Sequence, residues 1–425
     1  MKLFRQICYV LVSCMGMSLF FSACQDEDGM HIESPDGPPV INYIRVTNPA
    51  ASDSLLVRAP LGTTIAIMGK NLGGIREVWF NDRQAILNPT WVTNRSIIVA
   101  VPNQAPLLAT DELYLVNASG EKLTFPFEVT IPPPLIINAH NEWPQRESGE
   151  KLVINGNYFF DVDGAVPVIV TFTGGVEATA TVVSQTLLEV EVPDTANEGP
   201  VTIKTNFGEI ESTFHLYDSR NIILDFDNVR GNAWRIGLVE SGDGGIDGAY
   251  NVFRANVAAN ERNEGPGAPA ESGRLFEFWG GNANPIRTEN FYPLYPNSYK
   301  DYVLKFEAKV KKWYGGYLNI CLSSPTHAGN NQEIWSNTYN PRAIWGPWDA
   351  AGAEFSTNDG WITVVIPLTA FQYYMGTSGD EVVYTGGQVF NEANAGTISM
   401  WLLGSPQSDG SEVEFYIDNV RFVKP

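Results

Sequence analysis

The chain repeats itself. "PPVINYIRV" at Pro38 returns as "PPLIINAHN" at Pro133, "TTIAIMGKNL" as "EKLVINGNYF", and "IIVAVPN" as "LEVEVPD". Gly69 to Gly156 and Pro102 to Pro193 are each spaced by roughly ninety residues, the length of one small β-sandwich. Ile65 and Ile67, like Leu152 and Ile154, alternate with neighbours as half-buried strands do, and the glycine that follows is expected to permit a turn. Two copies of one β-module, residues 38–131 and 132–217, are therefore predicted. With 39 glycines, 27 prolines and no long apolar repeat of period 3.6, the whole chain is expected to be all-β.

The N-terminus reads as an address. Lys2 and Arg5 precede an apolar run from Ile7 to Phe21, and "FSACQDEDG" follows. Residues 1–23 resemble a lipoprotein signal peptide, with Cys24 the thiol to be acylated; Phe21 stands where leucine is more usual, and an ordinary signal peptide is the alternative. Cys8 and Cys14 would leave with the signal, so Cys321 alone would remain and no intrachain disulfide could form. Asp26, Glu27 and Asp28 resemble the export signal of Bacteroidetes surface lipoproteins, with 24–37 as an acidic flexible tether. A lipid anchor at the outer face of an outer membrane is the implied location.

A net charge of −21 argues against nucleic acid, whose phosphates are bound through Lys and Arg. Four dispersed histidines show no metal-like spacing, and GxSxG, P-loop and HExxH motifs are absent. Neither cofactor nor metal is expected. Asp225, Asp227 and Asp418 fit salt bridges or turn caps better than a shared calcium site.

Residues 218–425 carry eight of the eleven tryptophans. In "YVLKFEAKV" Tyr302, Leu304, Phe306, Ala308 and Val310 share one face and Lys305, Glu307 and Lys309 the other, a pattern read as one wet face. Repeated alternation predicts a larger two-sheet sandwich or jelly roll. Phe306, Trp361, Trp401, Phe415 and Phe422 are assigned to its core, and Trp79, Trp91 and Trp143 to cores or interfaces.

"EIWSNTYNPRAIWGPW", Glu333 to Trp348, has neither period and reads as a surface loop. Exposed Trp and Tyr rings can stack on the C–H face of a pyranose while polar neighbours meet its hydroxyls. Trp335, Trp345 and Trp348 are the first candidates for a glycan platform; Trp279 in "FWGGNANP" and Tyr339 come next, with Arg342 as a hydroxyl partner. The alternative is a loop folded inward as a satellite core.

The modules resemble IPT/TIG immunoglobulin-like domains, which commonly serve as spacers. The order of parts, together with "AIWGPWDAAGAEFSTNDGWITVVIPLTAF", resembles the surface glycan-binding proteins of Sus-like polysaccharide utilisation systems. That resemblance implies a non-catalytic lipoprotein whose last domain captures a hemicellulose or other β-glucan, such as xyloglucan, mixed-linkage β-glucan, β-1,3-glucan or β-mannan. It also implies a TonB-dependent transporter and its lid lipoprotein as partners. A surface endo-glycanase, with a carboxylate pair among the 48 acidic residues, and a protein-binding adhesin are the alternatives.

Overall fold

Both copies of the repeat fold as antiparallel sandwiches, and the two glycines do the same work in each. The computed structural model describes residues 36–51, 53–162, 164–231, 235–242, 244–261, 271–279, 299–323, 342–378, 381–387 and 397–424. They form two compact units, Met1–Ile131 and Pro132–Pro425.

In the first unit Val40–Val46, Thr64–Lys70 and Ser96–Ala100 form a 3-stranded sheet; Arg83–Gln84, Ile75–Phe80, Glu112–Asn117 and Lys122–Pro126 form a 4-stranded one. Ile44, Ile65, Ile67, Val78, Phe80, Ile97, Val99, Leu113 and Leu115 fill the space between them. On the outer face Trp79 and Tyr114 stand parallel, ring centroids 5.7 Å apart, and Lys122 Nζ lies 3.5 Å from the centre of the Tyr114 ring. Trp79 donates its indole N–H to Glu77. This is a cross-strand stack with the Tyr114 ring already engaged. Trp91, expected in a core or interface, is 51% exposed.

In the second unit residues 135–211 build a 7-stranded arrangement in which the long strand Glu177–Ser184 pairs with Val168–Phe172 at one end and Leu187–Val190 at the other. Leu152, Ile154, Phe159, Val168, Val170, Leu188, Val201 and Ile203 are its core.

Gly69 and Gly156 lie inside strands rather than in turns. Each stands opposite a β-bulge, at Ile41/Tyr43 and Ile136/Asn138 respectively. The bulge drives a neighbouring carbonyl inward, so an added Cβ would meet Val40 O at Gly69, or Leu135 O at Gly156, at 2.0 Å. Only a residue without a side chain fits so close an approach. Gly156→Ala should cost about 1–3 kcal/mol through forced backbone movement, read as a lowered urea midpoint.

Beyond residue 217 the same unit contains a second, larger sandwich. One sheet runs Leu238–Ser241, Ala249–Asn256, Glu412–Val423, Val303–Lys312, Ile362–Pro367, with Ile222–Leu224 also on Glu412–Val423. The other runs Leu275–Trp279, Thr397–Leu403, Tyr317–Ser323, Arg342–Trp345. Phe276, Phe278, Phe306, Trp313, Leu318, Ile320, Met400, Phe415 and Phe422 lie between them.

The face of Val303–Lys312 read as wet is not. Lys305 is 2% and Glu307 0% exposed, because the smaller sandwich docks on it. Glu142 reaches in from the segment 140–142: its carboxylate takes Lys305 Nζ at 2.6 Å and Arg421 Nη2 at 2.9 Å. Arg421 also meets Glu307 at 2.8 Å and Asp218 at 3.7 Å. Thr363 accepts the Glu142 N–H and donates its hydroxyl to Glu307, while its own N–H donates to His140 O. Trp143 packs beside Ile246, Tyr250, Val252, Trp361 and Tyr416. Glu142→Ala would leave Lys305 and Arg421 buried without it; a loss of about 3–5 kcal/mol is expected in chemical denaturation.

Candidate functional site

The 4-stranded sheet of the larger sandwich is buried on both faces, and only one of them is apolar. Phe276, Phe278, Leu318, Ile320, Leu322, Ala343, Ile398, Met400 and Leu402 point into the core. The opposite phase of the same strands is polar. Across it Glu277 is in register with Ser399, Cys321 and Arg342, and Leu275 with Trp401, Asn319 and Ile344. Trp279 pairs with Thr397 at the strand end.

Glu277, Asn319, Cys321, Arg342, Thr397, Ser399 and Trp401 are each at most 2% exposed. The Arg342 guanidinium lies 5.2 Å from the Trp401 ring centre, within cation–π range. Glu277 Oε2, Thr397 Oγ1 and Ser399 Oγ have no hydrogen-bond partner among the described residues. Polar atoms so placed are the exception in folded proteins, and bound water or ligand is the usual remedy.

Burial pushes the Glu277 carboxyl up to about 7, with the Arg235 charge pulling weakly the other way. Arg342 does not rescue the anion: three inter-strand spacings separate the two along the row, roughly 14 Å. Burial likewise raises the Cys321 thiol, which makes it a poor nucleophile, with nearby Arg342 opposing. Glu277 is the one carboxyl among the described strand residues of this face, whereas glycoside hydrolysis uses two.

The sequence candidates divide between the two faces. Arg342 lies on the polar face; Trp279 ends a strand in register with that face, its side chain outside the described residues. Trp348 is a core residue, 4% exposed, its indole N–H donated to Gly316 O at 2.6 Å. Trp345 packs edge-on to Phe306, Trp313 and Phe415 at 5.3, 5.1 and 5.9 Å. The expected surface loop is thus corrected at its C-terminal end, where Arg342–Trp345 is a strand and Pro347–Ala351 a helical turn. Proline at the start of that turn and left-handed Gly352 at its end set its limits and turn Trp348 inward. Trp335, Tyr339 and Cys24 lie outside the described residues.

Trp401, Glu277 and Asn319 were not among the sequence candidates. Their signal was the strand phase: in "TISMWLL", Trp401 alternates with Met400 and Leu402 and shares its phase with Thr397 and Ser399. Among the described residues no group of three or more His, Cys, Asp or Glu side chains could hold a metal ion. Asp225 caps its own turn, accepting the N–H groups of Asn228 and Val229 at 2.9 and 2.7 Å.

Residues 216–424 match the family described as the surface glycan-binding protein B xyloglucan binding domain. That match takes in 209 of the chain's 425 residues, the larger sandwich almost entire. Over its length the chain is similar to the crystal structure of the surface glycan-binding protein PbSGBP-B from Prevotella bryantii: 27% identity, 92% of this chain and 99% of that one covered, TM-score 0.69. It is also similar to an IPT/TIG domain-containing protein of Bacteroides ovatus, 33% identical over 142 residues. That match spans 32% of this chain and only 28% of the relative's length.

Because the folded-state value of Glu277 is about 7 against 4.5 for the free acid, the folded protein holds the proton longer than the unfolded one. Stability contributed by the neutral form is complete below pH 4.5 and is lost as pH rises to about 7. Glu277→Gln should match the parent near pH 4.5 and exceed it at pH 8 by up to about 3 kcal/mol in paired urea titrations.

Proposed function

We propose that the protein is a non-catalytic polysaccharide-binding lipoprotein of the outer cell surface, anchored through Cys24, that captures a β-glucan or hemicellulose. Xyloglucan is the first ligand to test, since the matching family is described by it. The observation that carries this reading is the match of residues 216–424 to a xyloglucan binding domain, whose second sheet bears the buried polar row of Trp401, Arg342, Glu277 and Asn319. Trp335, Tyr339 and Trp279 are proposed to supply stacking rings beside that face, with Arg342 fixing its edge. Trp345 and Trp348 scaffold the strand that bears Arg342. Transfer of the captured chain to a TonB-dependent transporter and its lid lipoprotein follows from the resemblance to Sus-like systems. The modules before residue 218 act as spacers, in keeping with the engaged Tyr114 ring of the first.

Affinity electrophoresis of the full chain in mild detergent, through gels containing xyloglucan, mixed-linkage β-glucan, β-1,3-glucan, β-mannan or xylan, tests the reading. One or more glycans should retard the protein, and no reducing ends should be released. Trp335→Ala and Trp279→Ala should each weaken retardation about tenfold without lowering the melting temperature, in the range of a lost stacking contact. Trp348→Ala should instead destabilise by about 3–5 kcal/mol. Free passage through every gel would overturn the proposal.

A further inference from the structure

A second polar recess lies far along the chain from this face, where the smaller sandwich of the second unit meets the larger. A cleft of about 600 Å3 is lined by Trp143, Gln145, Arg146, Glu147, Tyr217 and Asp247. That size falls within the range of small-molecule sites, which favour domain junctions.

The walls are fixed from both sides. Gln145 donates its amide to Ile246 O at 2.6 Å across the junction, and Tyr217 donates its hydroxyl to Pro144 O at 2.9 Å. Arg146 donates to Asp194 O and Ala196 O while its guanidinium lies 4.5 Å from the Tyr217 ring centre. Trp143 meets Tyr217 edge to face at 5.7 Å. Tyr217 itself has φ 53, a left-handed conformation that a tyrosine adopts only under constraint. Glu142, directly before Trp143, is held by the two ion pairs described above.

Within this rigid frame two donors remain unused. Trp143 Nε1 and Arg146 Nε are buried with no hydrogen-bond partner among the described residues. The same cleft is lined by Glu147 and Asp247, both exposed residues, and Asp247 Oδ2 accepts from Asn419 Nδ2 at 3.1 Å. An anion would meet the carboxylates, and a cation would meet the guanidinium. A ligand whose groups both donate and accept, and which carries no charge, satisfies both sets. Sugar hydroxyls have that character.

We infer that this junction cleft is a second saccharide-binding site, taking a short stretch of a neutral glycan, with Trp143 and Arg146 as donors and Glu147 and Asp247 as acceptors. It rests on the reading that the protein binds polysaccharide. Two sites on one chain would raise the apparent affinity for a long polymer far more than for an oligosaccharide.

The test is calorimetric titration of the full chain in detergent with xyloglucan-derived and mixed-linkage oligosaccharides, beside Glu147→Gln combined with Asp247→Asn. Neither carboxylate lies on the Trp401 face, and Asp247→Asn keeps an oxygen to accept from the buried Asn419. Two sites in the parent and one in the variant, with gel retardation by the long polymer weakened about tenfold, is the expected result. A single site lost in the variant would place all glycan binding at the junction. A single site unchanged in the variant would overturn the cleft and leave glycan capture standing. No binding heat together with free passage through the gels would overturn both.

Discussion

The second unit depends on one buried carboxylate. Glu142 is 2% exposed, and the cations it holds, Lys305 and Arg421, belong to strands far along the chain, the first of them 163 residues away. An ion pair so deep gains little over a well-packed apolar contact, because desolvation offsets most of the attraction. Its effect is on specificity. Any arrangement in which the smaller sandwich tilts or slides leaves Lys305, Glu307, Asp218 and Arg421 buried with incomplete pairing. Two sandwiches that could have been joined by a loose linker are instead held in one register, and the junction cleft exists because they are.

The same contact marks the limit of what the sequence discloses. Alternation in "YVLKFEAKV" correctly says that Lys305 and Glu307 share a face opposite Phe306. It says nothing about what covers that face, since the covering segment is contributed by distant residues. Gly69 and Gly156 show the other kind of partial legibility. Their spacing exposes the repeat, but their reason, a bulge carbonyl pressed against the strand, is a property of the partner strand rather than of the local pattern.

The tryptophans show how composition and position separate. Clustering of Trp345 and Trp348 with proline and glycine suggested display, yet a short strand and a one-turn helix place Trp345 against the core and Trp348 within it. Proline at the first helical position and Gly352 after the last carried that turn in the sequence. Trp401 is buried, as its place in a continuous strand suggested. What ring count did not show is its phase, which places it on the polar side of the sheet with Thr397 and Ser399. For a sheet buried on both sides, phase relative to polar neighbours says which face a ring lies on, and ring count does not.

Under the proposed function, a polar face with few fixed charges bears on the ligand it would select. Burial raises the Glu277 carboxyl to about 7 against the pull of the Arg235 charge, so near neutral pH a substantial share is protonated and can donate a hydrogen bond as well as accept one. Beside it the row offers hydroxyls and an amide, groups that bind without a net field. On the proposed reading, the charge of −21 would disfavour polyanions through the protein's overall potential and Arg342 would disfavour cations. A neutral polyhydroxylated polymer is the ligand that reading leaves. Each contact along it is weak, and affinity has to come from the number of residues engaged at once.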